Sequence, residues 1–285
     1  MFKVLVTGAK AQVGSEIVIA VPAGFTVIGL GSNELDITNQ QQVTAVIAQY
    51  KPDLIINAAA YTAVDKAESD SDNAYAVNQQ AVAWLAQAAK QADIPLFHIS
   101  TDYVFDGEST TPYKETDPVN PQSVYGMSKL AGEQVLAATH NKNIILRTSW
   151  VFGAEGNNFV KTMLRLGKER DELSVVADQH GCPTSASSIA KVLWQLAEKY
   201  KTERTLPWGI YHFSNSPACT WYEFACEIFK QAGMDVKVNP IKTKDYPTRA
   251  MRPKNSKLLA NYSIFKFTFD SWNDALSGYI KKNVV

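Results

Sequence analysis

The residues of this sequence best suited to acid–base chemistry are Thr101, Tyr125 and Lys129. Tyr125 and Lys129 are four residues apart, so on a helix they lie on one face, where the ammonium favours the ionised phenol and lowers its pKa. Such a tyrosine can donate a proton near neutral pH, and a threonine hydroxyl can hydrogen-bond a carbonyl oxygen. A bare Tyr-x-x-x-Lys is usually a solvated helix face, but the threonine at the end of a predicted strand favours catalysis.

A turn suited to a dinucleotide follows the first predicted strand. Gly8 and Gly14 supply the outer positions of a GxxGxxG spacing, which lets the backbone approach a pyrophosphate at the start of the next helix. The middle position is Ala11, whose methyl group would crowd the phosphate unless the backbone shifts slightly. An ordinary βα connection can have the same composition, but the position of this turn favours a nicotinamide adenine dinucleotide.

Residues after the second predicted strand bear on the choice between NADPH and NADH. Gly31–Asn33 contain no acid, although an NAD-specific protein usually has a carboxylate there for the ribose 2′-hydroxyl. Without that charge a 2′-phosphate is not repelled, and Ser32 or Lys10 could donate to it. We therefore expect NADPH to be preferred, with NADH possible, and Glu34 is close enough in sequence to reverse the preference.

Two further segments are suited to a bound cofactor. Asp36 could accept a hydrogen bond from the adenine amino group, or it could cap the next helix through Thr38. The small side chains of Ala58, Ala59 and Ala60 would let the backbone pass close to the cofactor, but they would also ease helix–sheet packing. The residues alone leave both alternatives open.

Short β-branched runs alternate with helical patterns over residues 1–150, which predicts an α/β fold with a doubly wound parallel sheet. Residues 151–285 are expected to form a smaller substrate-binding lobe interleaved with this sheet, because no flexible linker separates the two parts. The predicted strands are Phe2–Thr7, Phe25–Leu30, Asp53–Asn57, Leu96–Ser100 and Ile144–Thr148. The predicted helices are Ser15–Ala20, Gln40–Tyr50, Asn73–Gln91, Ser123–Thr139, Asn158–Glu169, Ser187–Lys199, Thr220–Ala232 and Ser271–Lys281.

Composition excludes several classes of partner. Lys plus Arg and Asp plus Glu number 28 each, so no net basic field attracts nucleic acid or anionic lipid. The three cysteines follow no metal or disulfide pattern, and no signal peptide or membrane span is predicted, so we expect a cytoplasmic protein. The histidines lack ligand-like spacing and are expected to be structural; they are His98, His140, His180 and His212.

Longer strings resemble the dTDP-4-dehydrorhamnose reductase family of extended short-chain dehydrogenases/reductases. They run from Val4 to about Ser256 and are, in order, TGxxxQVG, DLIINAAAYTAVDKAE, STDYVFDG, YGMSKLAGE, RTSWVFG, NNF, DQHGCPT and RPKNS. The resemblance implies a Rossmann fold and hydride transfer from the nicotinamide to the C4 ketone of dTDP-4-dehydro-L-rhamnose. Tyr125 would protonate the oxygen, with Thr101 assisting, and Lys129 would hold the nicotinamide ribose and tune Tyr125.

The same resemblance implies further binding residues. Those matched to the substrate are Thr101, Asp102 and Trp150, and those matched to the cofactor are Ala11, Gln12, Val13, Asp36, Ile37, Ala58, Ala59 and Ala60. Without the match, the alternative for Trp150 is a core indole. Arg252 in the RPKNS string is suited to the diphosphate of a sugar nucleotide, whereas Arg249 could as well be a surface arginine.

The sequence departs from the family in residues connected with metal and assembly. Some members of the family hold Mg²⁺ between subunits with glutamates. Glu16 matches one of them, but Ser187 stands where another is expected, and the tail Lys281–Val285 contains no acid. Because a hard divalent ion prefers several oxygen ligands, we expect no metal and a monomer.

Two other functions fit the same fold. Sugar-nucleotide dehydratases place Asp and Glu directly after the threonine, whereas this chain has Asp102 and Tyr103, so reduction is favoured over dehydration or epimerisation. A regulatory subunit could keep the nucleotide site without chemistry, but Thr101, Tyr125 and Lys129 together favour an enzyme. The sequence leaves open whether the sugar nucleotide carries thymine or uracil.

Overall fold

The computed structural model describes residues 1–260 and 270–283. Six parallel strands form the central sheet in the order β10-β5-β4-β3-β1-β2. The apolar runs of the inner strands are buried on both faces, as a parallel sheet covered by helices requires. The strands are β1 Phe2–Thr7, β2 Phe25–Leu30, β3 Leu54–Asn57, β4 Leu96–Thr101, β5 Asn143–Thr148 and β10 Gly209–His212.

Helices cover both faces of this sheet. Helices α1 and α8 pack on one face with Val4, Val6 and Ile56, and α2, α5 and α6 pack on the other with Leu5 and Ile55. The doubly wound α/β prediction is therefore confirmed. The first helices are α1 Gln12–Ile19, α2 Gln40–Tyr50, α3 Val64–Ala67, α4 Ser71–Tyr75, α5 Ala81–Gln91 and α6 Val124–Thr139. The later ones are α7 Phe159–Glu169, α8 Ala186–Glu203, α9 Trp221–Gln231 and α10 Trp272–Asn283.

Among the described residues of the second half of the chain, three small sheets and a separate apolar cluster lie beside the central sheet. The cluster joins α7, α9 and α10 around Phe152 and Phe224. The division into lobes at residue 150 stays a prediction, and the same half also contributes β10 and α8 to the main sheet. The remaining strands are β6 Val151–Phe152, β7 Glu172–Val176, β8 His180–Gly181, β9 Thr184–Ser185, β11 Cys219–Thr220 and β12 Lys237–Ile241.

Some element boundaries differ from the prediction for identifiable reasons. The single helix predicted over Asn73–Gln91 is α4 and α5 joined by a π-helical segment, Ala76–Gln80. Asn158 and Thr220, predicted as first helical residues, are N-caps whose side chains accept from backbone N–H groups in the first turn. In the described part of the chain, no helix is long and apolar enough to cross a membrane.

Candidate active site

The carboxyl ends of the central strands bring the predicted catalytic residues together. Thr101 ends β4, one residue later than predicted, and Tyr125 lies in the first turn of α6. Ser123 caps that helix by accepting from Gly126 N at 3.1 Å. Gly126 is required here, because a Cβ atom would collide with the carbonyl of Tyr103. Open α/β sheets bind ligands at this edge.

Tyr125 is half-buried beside another aromatic side chain. Its ring lies 5.5 Å from that of Tyr103 in an edge-to-face arrangement. Burial raises the pKa of Tyr125 to about 12, while a hydrogen bond with Thr101 acts in the opposite direction. The lowered pKa expected from the Tyr-x-x-x-Lys spacing does not arise in this structure, because burial dominates and the lysine amine is bonded elsewhere.

Lys129 lies beneath the site with 1 % of its surface exposed. Its Nζ donates to the carbonyl of Ile99 at 2.7 Å and is 3.3 Å from Nε2 of His98. Burial lowers the pKa of Lys129 to about 8, although Glu133 favours the ammonium. The helix therefore places Tyr125 and Lys129 on one side, as predicted, and fixes the lysine amine against β4.

Asp102 is a buried carboxyl next to Thr101. Thr101 Oγ1 donates to Asp102 Oδ1 at 3.0 Å, and Asp102 Oδ2 has no hydrogen-bond partner among the described residues. Burial raises the pKa of Asp102 to about 7. This carboxyl is thus partly protonated at neutral pH and can donate or accept a hydrogen bond.

The turn after β1 has the geometry of a phosphate cradle. Gly8 has φ +66°, and a Cβ atom there would collide with Ala58 and Ala59. A Cβ atom at Gly14 would overlap the carbonyl of Gly8. Ala11 is an exposed N-cap with φ −84°, so its methyl group is accommodated without strain. Because no side chain of the described residues caps α1, its first N–H groups are suited to an anion, which fits the predicted pyrophosphate.

The loops after β1 and β3 meet beneath this cradle. Ala58 N donates to Thr7 O, and Ala59 N donates to Asn57 Oδ1. The predicted cofactor residues Ala58–Ala60 therefore lie beside Gly8. Val13 and Ile37 are both buried in the apolar clusters that support these loops.

Gln12 connects the cradle to the second half of the chain. Its Nε2 donates to Val151 O at 3.0 Å, and its Oε1 accepts from Asn158 Nδ2 at 2.8 Å. Asn158 also caps α7, so this helix is joined to the nucleotide loop through one glutamine.

The region after β2 contains the charges that bear on the 2′-position. Lys10 Nζ donates to Glu34 Oε1 at 2.7 Å, and Gly31 N donates to Glu34 Oε2 at 2.7 Å. These two bonds, that of Lys10 first, lower the pKa of the Glu34 carboxyl. Asp36 does not cap α2, because Asn39 does; instead its Oδ1 accepts from Thr38 within a turn.

A cavity of about 790 Å³ opens next to Tyr103, whose ring contacts Tyr125, although Thr101, Tyr125 and Lys129 do not line it. Asp65, Tyr103 and Arg252 line one side, and apolar residues of α7 line another, including Phe159 and Met163. Arg252 Nη2 donates to Asp65 Oδ2 at 2.5 Å, while its Nη1 is buried with no partner among the described residues. The free Nη1 is suited to an anionic group, as predicted for Arg252.

Trp150 lies between the site and the second half of the chain. Its ring stacks on Trp221 with centroids 3.5 Å apart, and its Nε1 donates to Ser256 Oγ at 3.0 Å. A side chain at Gly181 would collide with its indole. Trp221, rather than Trp150, lines the cavity, so the substrate role of Trp150 stays a prediction.

The predicted absence of a metal ion and of a dimer concerns Glu16, Ser187 and the C-terminal tail. Glu16 and Ser187 lie on the packed helices α1 and α8, and the described residues contain no group of three or more potential metal ligands. Val284 and Val285 of the predicted acid-free tail lie outside the described residues. We expect light scattering to give the mass of one chain with or without added Mg²⁺; a magnesium-dependent dimer would contradict this.

The fold and the Thr–Tyr–Lys site define a short-chain dehydrogenase/reductase. More narrowly, the chain belongs to the family described as RmlD substrate binding domain, which matches residues 2–285. A dTDP-4-dehydrorhamnose reductase from Aggregatibacter actinomycetemcomitans is 50% identical over 266 residues, 90% of each chain. The resemblance inferred from the sequence is thus confirmed.

Solved structures of similar proteins agree with this assignment. One is a dTDP-4-dehydrorhamnose reductase from Clostridium acetobutylicum, which is 42% identical with a TM-score of 0.92 and 99% of each chain covered. Another, from Bacillus anthracis in complex with NADP, is 40% identical with a TM-score of 0.94, covering 99% of this chain and all of that one.

Sequence reasoning missed the residues that support Lys129. His98 is expected from the sequence to be structural, and Asn57 is given no role there beyond ending the third strand next to the cofactor segment. His98 lies two positions after Leu96, and Asn57 lies two positions after Ile55. Because alternate residues of a strand share a face, both polar side chains lie on the face that α6 covers. That alternation is the sequence signal that could have identified them.

Proposed function

We propose that this chain reduces the C4 ketone of dTDP-4-dehydro-L-rhamnose to give dTDP-L-rhamnose. Relatives that are 40–50% identical to the chain support the identity of the substrate. The observation that supports a reduction is that Thr101, Tyr125 and Lys129 lie together at one edge of the sheet. A non-catalytic nucleotide-binding subunit would not need this set.

NADPH is the proposed cofactor, and when bound it supplies the hydride. The N–H groups at the start of α1 and the turn at Gly8 would hold its pyrophosphate. The small alanines after β3 would let the protein backbone pass close to the cofactor. Asp36 is exposed, and its carboxylate would accept a hydrogen bond from the adenine amino group. No metal is proposed.

The chain's own residues supply the proton and hold the ketone. Tyr125 donates its hydroxyl proton to the ketone oxygen, and Thr101 hydrogen-bonds the same oxygen, so that negative charge developing there is stabilised. Lys129 orients the site from below and favours the resulting phenolate through its charge. Asp102 binds a hydroxyl group of the sugar, and Arg252 binds the phosphate groups.

The proposal is tested by following NADPH oxidation by absorbance, with dTDP-4-dehydrorhamnose as substrate. We expect one NADPH consumed for each dTDP-L-rhamnose formed. Binding of NADPH without oxidation would favour the regulatory alternative, and the uridine-linked sugar tested in parallel decides which base the site accepts.

Cofactor preference depends on the Lys10–Glu34 pair. We expect kcat/KM to be higher with NADPH, because Lys10 can turn from Glu34 to a 2′-phosphate. Lys10→Ala should lower kcat/KM for NADPH roughly three- to tenfold, since the lost charge-assisted bond is solvent-exposed, and should leave NADH nearly unchanged. Glu34→Gln is the matched variant and should favour NADPH further. A higher kcat/KM with NADH in the unaltered chain would contradict the preference.

A monomer in the cytoplasm is the proposed state of the protein. Cys182, Cys219 and Cys226 are all free thiols, in keeping with a reducing compartment.

A further inference from the structure

A ladder of buried polar side chains crosses three neighbouring strands beneath the active site. Thr7 of β1 is the register partner of Asn57 of β3, and Asn57 is the partner of His98 of β4. Lys129 of α6 completes the ladder. Thr7 and Asn57 have no exposed surface, and His98 and Lys129 have 1 % each. The positions of their protons are therefore set by the neighbouring protein groups rather than by bulk water.

The orientation of the Asn57 amide is fixed by its neighbours. Ala59 N donates to Asn57 Oδ1 at 3.1 Å, and Thr7 Oγ1 donates to the same oxygen at 2.6 Å. A backbone N–H can only donate, so the atom facing it must be the amide oxygen. The amide nitrogen therefore faces His98 Nδ1, at 3.0 Å.

That orientation in turn fixes the proton of His98. An amide nitrogen can only donate, so His98 Nδ1 must accept. Burial first, and then the charge of Lys129, hold the pKa of His98 well below its ordinary value, so the ring is neutral. A neutral imidazole has one N–H, and here it must be on Nε2, the atom 3.3 Å from Lys129 Nζ.

We infer that Thr7, Asn57 and His98 form a positioning chain that presents an N–H to Lys129 and thereby favours the neutral amine over the ammonium. An ammonium has three donors and no acceptor, so it faces this N–H unfavourably. The amine has a lone pair that can accept from His98 while still donating to Ile99 O. The inference deepens the proposed function, because it assigns the control of the Lys129 charge.

Among the charged and titratable groups that the structure describes around Lys129, Glu133 is the one that opposes this assignment. Glu133, one turn along α6, is the anion that favours the ammonium, but both of its carboxylate oxygens are bound by Arg147 of β5. The other titratable groups near the site are His98 of β4, Asp102 and Tyr103 of the turn after β4, and Tyr125 of α6. Burial by itself lowers the pKa of Lys129 to about 8, and the N–H of His98 is expected to act in the same direction.

A pH dependence of reduction follows. Phenolate formation at Tyr125 is favoured by the ammonium, which is present below the pKa of Lys129 and lost above it. Activity should therefore fall on the alkaline side as Lys129 loses its proton, near pH 8, rather than near the pKa of Tyr125 at about 12.

The proton on His98 can be observed directly by ¹⁵N NMR of the full chain, because protonated and unprotonated ring nitrogens have well-separated shifts. The chain has four histidines, and two serve as internal standards. His140 Nε2 donates to Ile94 O and His212 Nδ1 donates to Tyr113 O, so these rings have opposite tautomers. We expect His98 to match His140; a match to His212 would overturn the inference, whether or not the chain reduces any sugar.

Asn57→Asp tests the consequence for Lys129. Both carboxylate oxygens accept, so His98 must donate from Nδ1, and its bare Nε2 then accepts from the Lys129 ammonium. Lysine is the stronger base, so the proton stays on the amine. The titration midpoint of the Lys129 ¹³Cε resonance, and the alkaline limb of reduction, should rise by about one pH unit or more.

Asn78→Asp is the matched control for added negative charge. Asn78 is also buried and donates to Ser128 Oγ of α6, but no histidine is bonded to it. We expect His98 to stay protonated on Nε2 and the Lys129 midpoint to rise less than in Asn57→Asp. An equal rise in both variants would show that charge, not the tautomer, sets the midpoint, and would overturn the inference.

Discussion

Replacing Tyr125 with phenylalanine is expected to slow reduction by roughly 10²–10⁴-fold, the range for a lost general acid. The substitution removes only the hydroxyl. The ring keeps its edge-to-face contact with Tyr103, and the phosphate cradle around Gly8 is untouched. Binding of NADPH, measured by fluorescence titration, should therefore stay within about twofold of the unaltered chain, a few tenths of a kcal/mol.

Tyr103→Phe is the matched control for this prediction. It removes a hydroxyl from the neighbouring ring. Burial holds the pKa of Tyr103 even further above its ordinary value. Tyr103 is therefore the poorer proton donor, and we expect Tyr103→Phe to lose less turnover than Tyr125→Phe. Near-normal turnover by Tyr125→Phe would mean that the proton comes from another group. Asp102 is the nearest alternative, because its pKa of about 7 leaves it partly protonated at neutral pH.

The sequence was most informative where short-range chemistry determines the structure. Alternating apolar runs predicted five of the six strands of the main sheet, and the glycine spacing after β1 predicted the tight turn at Gly8. Strand β10, Gly209–His212, was missed, because its pairing with β5 joins residues 65 positions apart. Local pattern contains no signal for such a pairing.

The electrostatics of the site were less predictable than its residues. The spacing of Tyr125 and Lys129 correctly predicted a common helix face, but it did not show that Ile99 O and His98 hold the amine. Those partners come from β4, and their effect depends on Asn57 of β3. A pKa is set by every group around a side chain, so it follows from the assembled fold rather than from a motif.

The largest expected effect on stability is at the Arg147–Glu133 pair, which joins β5 to α6. The side chains are 2% and 3% exposed, with Nη2 to Oε2 at 2.6 Å and Nε to Oε1 at 2.9 Å. Ser100 Oγ donates to the same carboxylate at 2.5 Å. Glu133→Gln keeps the shape but leaves a buried guanidinium without its counter-charge, which should lower the free energy of unfolding by about 3–5 kcal/mol.

Urea denaturation with an unchanged slope measures this loss, and the chain offers a matched control. Arg165 and Glu169 form the same kind of pair on the surface, with 62% and 51% of the side chains exposed, so Glu169→Gln should cost less than about 1 kcal/mol. Replacing both buried partners, as Glu133→Leu with Arg147→Met, should recover much of the stability, because no charge is then left unpaired. Equal losses of unfolding free energy in Glu133→Gln and Glu169→Gln would show that burial does not determine how much such a pair stabilises the chain. If Glu133→Gln alone unfolds the chain at room temperature, α6 and the Tyr125–Lys129 face depend on this one carboxylate.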